Sequence, residues 1–153
     1  MIVDDHHALA AILSFEVGRP RERPTTPGPP LYLDARVPAT MHLRLVSALH
    51  KPTGGRLNRV LQAVDIAHRA ALLEAIAAPR AGSVEVLDDR PVAGAIGALT
   101  AEPGVSVAFG AVIAHAQNSG QPILIDPANV GRWMAVVETR HIEVVTVPAN
   151  VRR

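Results

Sequence analysis

The chain has 153 residues, of which 48% are hydrophobic and 3% aromatic, and its formal net charge is +1. This length is that of one compact domain with a core of aliphatic side chains. The absence of cysteine excludes disulfides and thiolate metal sites, the small charge provides no broad field for a nucleic-acid backbone, and no apolar run reaches the length of a membrane span.

The first predicted element is a short strand over residues 1–3, which ends at Asp4 and Asp5. These carboxylates stand where a secretion signal carries positive charge, so we expect a cytoplasmic protein without membrane contact. A helix is predicted from His6 to Phe15, because apolar residues recur there at spacings of three and four. Asp5 is its predicted N-cap.

Prolines then interrupt the regular pattern. Residues 18–30 include five prolines and are predicted to form an extended exposed loop. A second helix is predicted from Pro38 to His50, and after a break at residues 51–55 the pattern predicts one or two amphipathic helices over 56–78. The second helix has a predicted apolar stripe made of Met41, Leu43, Val46 and Leu49.

Strands and helices alternate in the second half of the chain. Strands are predicted over residues 83–87, 122–125 and 142–147, and helices over 92–99, 105–119 and 129–140. This alternation predicts an α/β fold, a three-layer α/β/α arrangement with a mostly parallel central sheet. Gly110 and Ala114 share one stripe of their helix and are predicted to bring it close to the sheet.

Carboxylates follow three of the predicted strands. The carboxyl ends of parallel strands lie at one edge of a sheet, where α/β proteins form their sites, so we expect these acids to converge. Gathered carboxylates suit Mg²⁺ or Mn²⁺, which can promote phosphodiester hydrolysis. Helix caps and turns are the structural interpretation of the same residues, and residue type alone favours it. The acids are Asp4, Asp5, Asp88, Asp89 and Asp126.

Several segments resemble the PIN domain, the nuclease fold of the toxins in VapBC toxin–antitoxin pairs. They are residues 1–4, residues 39–49, and residues 109–120 with the apolar strand that follows. The resemblance implies a single PIN-like domain over residues 1–153, with the proline-rich loop at 18–30. It also implies a metal-dependent ribonuclease site, in which Asp4 matches the first acid and Asp126 lies one residue from the usual place of the fourth.

The resemblance places the second and third acids of the family at Arg44 and Phe109. An arginine repels a divalent cation, and a phenyl ring offers no ligand. We therefore expect Mg²⁺ or Mn²⁺ binding to be weak or absent, and no organic cofactor. Arg44 and Phe109 are predicted to fill the former metal pocket, with the guanidinium against the ring or paired to Asp4. The remaining candidate metal ligands are Asp4, Asp5 and Asp126, with Asp88 and Asp89 as secondary candidates.

Two hypotheses follow, and the sequence leaves open whether the protein is an enzyme. In the first, a PIN-like domain of nuclease lineage has lost catalysis and acts as a binding or regulatory module. Its partner would be a second copy, since PIN proteins often dimerise, or a small antitoxin-like protein. In the second, a Mg²⁺- or Mn²⁺-dependent endoribonuclease cuts RNA with a rearranged acidic set whose catalytic residues are Asp4 and Asp126.

A third, minor interpretation is a receiver-like phosphoacceptor domain. Asp34 would be the phosphoacceptor, and Asp4 and Asp5 would bind Mg²⁺. The late lysine that a receiver needs is missing, since Lys51 is the one lysine of the chain.

Histidines beside the first acids suggest a zinc site. However, His6 and His7 are adjacent, and neighbouring helix positions point about 100° apart, so we expect surface histidines there. His115 is isolated in the sequence, and Trp133 is predicted to pack in the core or at an interface.

Overall fold

The computed structural model describes residues 1–16, 34–51, 59 and 66–149. Within these ranges one all-parallel sheet contains five strands in the order β3-β2-β1-β4-β5. The predicted loop at 18–30 and much of the predicted 56–78 segment lie outside the described residues. The strands are β1 (Ile2–Val3), β2 (Arg36–Pro38), β3 (Glu85–Leu87), β4 (Ile123–Ile125) and β5 (Val144–Thr146).

Helices flank this sheet and give a three-layer α/β/α fold, which confirms the predicted fold class. Helices α1 and α5 both pack on the three central strands, and α2 packs against both of these helices. Short 3₁₀ turns at Arg90–Val92 and Pro127–Asn129 follow β3 and β4. The helices are α1 (Asp5–Glu16), α2 (Ala39–His50), α3 (Ile66–Ala77), α4 (Ala93–Thr100), α5 (Val107–Ser119) and α6 (Met134–Thr139). No helix in the described ranges combines the length and apolarity needed to cross a membrane.

Strand β1 lies at the centre of the sheet and is wholly buried. Ile2 pairs with Arg36 on one side and with Ile123 on the other. The chain thus passes from β1 outward to β2 and β3 and returns to β4 on the opposite side of β1. In open α/β sheets, a crevice forms at the carboxyl ends of strands where the order reverses in this way. That position lies between the ends of β1 and β4.

Helix α5 has clear sequence signals at both ends. The Ser106 hydroxyl accepts a hydrogen bond from Phe109 N at 3.3 Å, and Gly120 ends the helix with φ +68°. Gly110 was predicted to face the sheet, but it faces α4. A Cβ at this position would lie 3.3 Å from Thr100 Cγ2 and 3.6 Å from Ile96 O. Gly110 therefore permits close packing between the two helices.

Several predicted boundaries are wrong. Pro38 is the last residue of β2 and precedes α2, and the predicted 129–140 helix is a 3₁₀ turn followed by the short α6. The buried stripe of α2 is Met41, Leu45 and Leu49, at a spacing of four, whereas Leu43 is 64% exposed. Leu43 lies two positions from Met41, and two helical steps carry a side chain to the other side of the helix.

Candidate functional site

Asp4 and Asp126 meet at the carboxyl ends of β1 and β4. The Asp126 backbone N–H donates to Asp4 Oδ2 at 2.7 Å, and both side chains are completely buried. The parallel pairing of β1 with β4 produces this contact, because Val3 pairs with Leu124 and the acids follow directly. The predicted convergence of these two residues is present in the structure.

Asp4 is surrounded by hydrogen-bond donors. Its Oδ1 accepts from His7 N at 2.9 Å, and its Oδ2 also accepts from Asn129 Nδ2 at 2.8 Å. Asp4 therefore caps α1, and the prediction of Asp5 as the cap is wrong. Burial raises the pKa of Asp4, although the hydrogen bonds from Asn129, Asp126 and His7 act in the opposite direction.

Asp5 is buried next to Asp4 but has a different environment. Its Oδ1 accepts from His6 N at 3.0 Å and from Asn129 Nδ2 at 2.8 Å, and its Oδ2 lies 3.2 Å from Arg44 Nε. Burial favours a higher pKa, but the His6 hydrogen bond and the Arg44 charge outweigh it and hold the pKa of Asp5 below its ordinary value. Arg44 thus pairs with Asp5, and not with Asp4 as one prediction had it.

His6 and His7 are both buried, contrary to the prediction of surface histidines. The first turn of α1 begins at the crevice, and the side chains of this turn are surrounded by other residues. His6 Nδ1 lies 3.1 Å from Asp5 Oδ1, and His7 Nε2 lies 2.9 Å from Val147 O. Burial disfavours the charged form of His6, but the Asp5 hydrogen bond and the nearby carboxylates raise its pKa overall.

Asn129 is the central residue of the site, and the sequence analysis missed it. Its Nδ2 lies 2.8 Å from Asp4 Oδ2, 2.8 Å from Asp5 Oδ1 and 3.0 Å from His6 Nδ1. Its Oδ1 accepts from Arg44 Nη2 at 3.2 Å. The available signal was its place in a turn just after β4, at the strand end where α/β proteins form sites.

Arg44, Phe109 and Trp133 form a stack beside the acids. The guanidinium carbon of Arg44 lies 5.1 Å from the centroid of the Phe109 ring, and the Phe109 and Trp133 rings stack at 4.6 Å with an interplanar angle of 16°. Trp133 Nε1 donates to Asn129 O at 2.8 Å. The expected contact between arginine and the phenyl ring is present, and the stack supports both Arg44 and the Asn129 turn.

Asp126 stabilises the backbone on the far side of the site. Its Oδ1 accepts from Ala128 N at 2.9 Å and its Oδ2 accepts from Ala149 N at 2.7 Å. The side chain therefore caps the 3₁₀ turn that carries Asn129 and holds the segment after β5.

The two secondary candidates lie apart from this cluster. Asp88 is exposed, and both of its carboxylate oxygens accept hydrogen bonds from the Arg90 guanidinium, which lowers the pKa of Asp88 to about 2. Asp89 accepts from Thr40 N at 2.7 Å and contacts His115 Nε2 at 2.7 Å. Asp89 thus accepts a hydrogen bond from the first turn of α2, and His115, although isolated in the sequence, has Asp89 as its partner in the fold.

Asp34 lies at the opposite edge of the sheet from Asp4 and Asp5. It lies two residues before Arg36, the first residue of β2, it is exposed, and its carbonyl oxygen accepts a hydrogen bond from the Met1 amino group at 3.3 Å. Since β1 and β2 are parallel, a residue before β2 cannot join residues after β1. This placement separates Asp34 from Asp4 and Asp5, the two acids with which the receiver-like interpretation groups it.

The fit of a divalent cation can be tested on this geometry. One ligand atom from each of Asp4, Asp5 and His6 lies within 4.8 Å of the others, so the set is compact enough to share an ion. However, Asn129 Nδ2 already lies between these three atoms, and Arg44 adds positive charge at Asp5. Mg²⁺ and Mn²⁺ bind to the lone pairs of ligand oxygens. In this site the carboxylate lone pairs already accept hydrogen bonds from N–H donors. As arranged, these residues do not fit the ion.

Comparisons of the chain with protein-family models, with curated proteins and with solved structures found no match. The resemblance to PIN domains therefore stays a prediction.

Proposed function

We propose that this protein is a cytoplasmic PIN-like domain of nuclease lineage that has lost metal-dependent catalysis and acts as a binding or regulatory module. The observation that carries the proposal is the Asn129 amide nitrogen, which lies within 3.0 Å of atoms of Asp4, Asp5 and His6. A neutral amide thus satisfies the acids that a catalytic cation would otherwise bridge.

The fold supports the nuclease lineage. Asp4 and Asp126 lie together where the strand order reverses, which is the site position that the resemblance implies. Arg44 and Phe109, at the positions of the missing acids, contact each other beside this pair. The site therefore lies where the resemblance implies, while its side chains contact one another in place of a metal ion.

The partner proposed for this module is a protein, either a second copy of the chain or a small antitoxin-like protein. The formal net charge of +1 gives no broad attraction for RNA, which favours a protein partner. Light scattering coupled to size exclusion tests the homodimer directly, because the two states differ twofold in mass.

A titration tests the loss of metal chemistry. Isothermal titration of the metal-free protein with Mn²⁺ should give no heat beyond dilution, and RNA incubated with protein and Mn²⁺ should stay intact. Stoichiometric binding that disappears in Asp5→Asn, together with Mn²⁺-dependent RNA cleavage, would overturn the proposal. Asp88→Asn is the matched control, since this acid lies outside the site.

A Mg²⁺- or Mn²⁺-dependent ribonuclease is the second candidate. The compactness of the Asp4, Asp5 and His6 ligand atoms favours it. In this case Asp4 and Asp126 would be the catalytic acids, and RNA the substrate. Asn129 would first have to leave its position among the acids. The same titration and cleavage assay decide between the two candidates.

A further inference from the structure

We propose that Asn129 is the residue that excludes a divalent cation from this site, and that its amide nitrogen substitutes for the ion between Asp4, Asp5 and His6. The inference rests on the proposed function, and it assigns the loss of metal binding to one side chain. It also predicts a latent cation site that one substitution opens.

The geometry around the amide is the first argument. Two N–H groups of Asn129 are directed at two different carboxylates, with Nδ2 at 2.8 Å from an oxygen of each. Asp4 and Asp5 are therefore joined through a shared group, as they would be through a shared ion. His6 Nδ1 lies 3.0 Å from the same nitrogen and 3.1 Å from Asp5 Oδ1, so the imidazole borders this position and hydrogen-bonds to Asp5.

The orientation of the amide is fixed from its other end. Arg44 Nη2 donates to Asn129 Oδ1 at 3.2 Å, so the oxygen faces the guanidinium and the nitrogen faces the acids. The backbone oxygen of Asn129 accepts from Trp133 Nε1 at 2.8 Å, which holds the turn itself. The nitrogen is thus held in place by contacts that do not involve the acids.

Arg44 also contacts Asp5, but unlike Asn129 it does not lie between the two acids. Its Nε approaches Asp5 Oδ2, whereas Asn129 approaches Asp5 Oδ1, the oxygen that also lies next to His6. The guanidinium therefore borders the cluster from outside, and 40% of its side chain is exposed. Removing Arg44 would leave the position between the acids filled, whereas truncating Asn129 to alanine would vacate it and Asn129→Asp would replace its donor with a carboxylate oxygen.

The change Asn129→Asp has a definite electrostatic consequence. It is nearly isosteric, but it replaces the N–H donors with a third carboxylate oxygen close to Asp4 and Asp5. Oxygens of an octahedral Mg²⁺ shell, at about 2.0–2.1 Å from the metal, lie about 3 Å from one another. An oxygen at the place of Asn129 Nδ2 would lie about this far, 2.8 Å, from one oxygen of Asp4 and one oxygen of Asp5. The repulsion between the carboxylates would be relieved only by a proton or a cation.

The test measures Mn²⁺ binding and thermal stability of the metal-free full chain in three forms. We expect Asn129→Asp to unfold at a lower temperature than the original protein, and one equivalent of Mn²⁺ to restore it. Its Mn²⁺ affinity should exceed that of the original protein at least tenfold. Asn118→Asp, at an exposed position of α5, is the control with the same charge change and should behave like the original protein.

A second variant keeps the test decisive if Asn129→Asp does not fold. Asn129→Ala vacates the same position without adding charge, and we expect it to bind Mn²⁺ more tightly than the original protein but less tightly than Asn129→Asp. If neither variant gains affinity, the inference is overturned and the proposed function stands. If the original protein binds Mn²⁺ as tightly as the variants and cleaves RNA, both are overturned.

Discussion

Arg44 and Asp5 form an ion pair in which the side chain of one partner is 40% exposed and that of the other is 2% exposed, with Nε and Oδ2 3.2 Å apart. The buried carboxylate depends on this contact more than the guanidinium does, because Arg44 can reach water and Asp5 cannot. Arg44 also covers the ring of Phe109. The pair thus links α2 to the start of α1 across the mouth of the crevice.

Replacing Arg44 should therefore destabilise the fold. Arg44→Met keeps an apolar side chain over Phe109 but removes the guanidinium from buried Asp5, which then keeps only the weaker cationic partner His6. We expect a loss of about 1–2 kcal/mol in the free energy of unfolding, since solvent screens part of the interaction. Urea denaturation measures it. Arg90→Met is the control, because its partner Asp88 is exposed, and a comparable loss there would refute the explanation.

Asp4 should contribute more to stability than to any chemistry. Asp4→Ala would leave the buried N–H groups of His7 and Asp126 without their acceptor. Each unsatisfied donor costs about 1–3 kcal/mol, so we expect a loss of about 3 kcal/mol or more. Equilibrium unfolding of this variant beside Asp88→Ala gives the comparison. If Asp4 were retained for catalysis alone, Asp4→Ala would leave the free energy of unfolding unchanged or increase it.

Stability should fall as the pH rises through neutrality. His6 has a raised pKa in the folded state, so its contribution is complete below its ordinary value of about 6.5 and is lost as the pH rises through the folded value. The raised pKa of Asp4 likewise makes the folded state less stable as the pH rises. Asp5 has a lowered pKa, so its contribution is complete above about 3.9 and is lost as the pH falls through the folded value.

The shifts of Asp5 and His6 bound a window between about pH 4 and 6.5 in which both residues contribute fully, and the raised pKa of Asp4 moves the maximum toward the acid end of that window. Thermal unfolding followed from pH 4 to 9 should show a decline on the alkaline side, and His6→Gln should reduce that decline. His50→Gln, at an exposed position, should leave the profile unchanged. A profile in His6→Gln identical to that of the original protein would contradict this account.

Two glycines should respond oppositely to alanine. Gly104 has φ +81°, and a Cβ there would lie 2.6 Å from Arg132 Cβ, so Gly104→Ala should be destabilising. Gly97 is in α4, and among the described residues no atom outside its own helix turn lies within 4 Å of an added Cβ, so Gly97→Ala should stabilise by about 0.5–1 kcal/mol. Thermal unfolding measures both. A loss of stability in Gly97→Ala would show that this surface has a contact beyond those described.

The fold was largely predictable, because the signals that define it are local. The second half of the chain alternates short apolar strands with helices, and Ser106 and Gly120 mark the ends of α5. Strand β2 was not predicted, since a three-residue strand that ends in a proline carries too little periodicity. The exposure of Leu43 was missed because apolar character alone does not show which side of α2 faces the core.

The site was predictable only in part. Parallel strand pairing brings Asp4 to Asp126, and topology alone predicts that meeting. The roles of Asn129 and His6 depend on contacts between residues more than 120 positions apart, which no local pattern encodes. The separation of Asp88 and Asp89 from the cluster also follows from tertiary structure, because β3 is at the edge of the sheet, two strands from β1.

The central position of the two-residue strand β1 has a kinetic consequence. Its neighbours β2 and β4 lie more than 30 and more than 110 positions away in the chain, and the hydrogen bond from Asp126 N to Asp4, the residue that follows β1, spans 122 positions. Closing such loops costs chain entropy before any pairing energy is gained, so this junction should assemble late and slow the folding reaction. Amide exchange at Asp126 would then report complete unfolding, and the crevice would exist only in molecules whose whole sheet has formed.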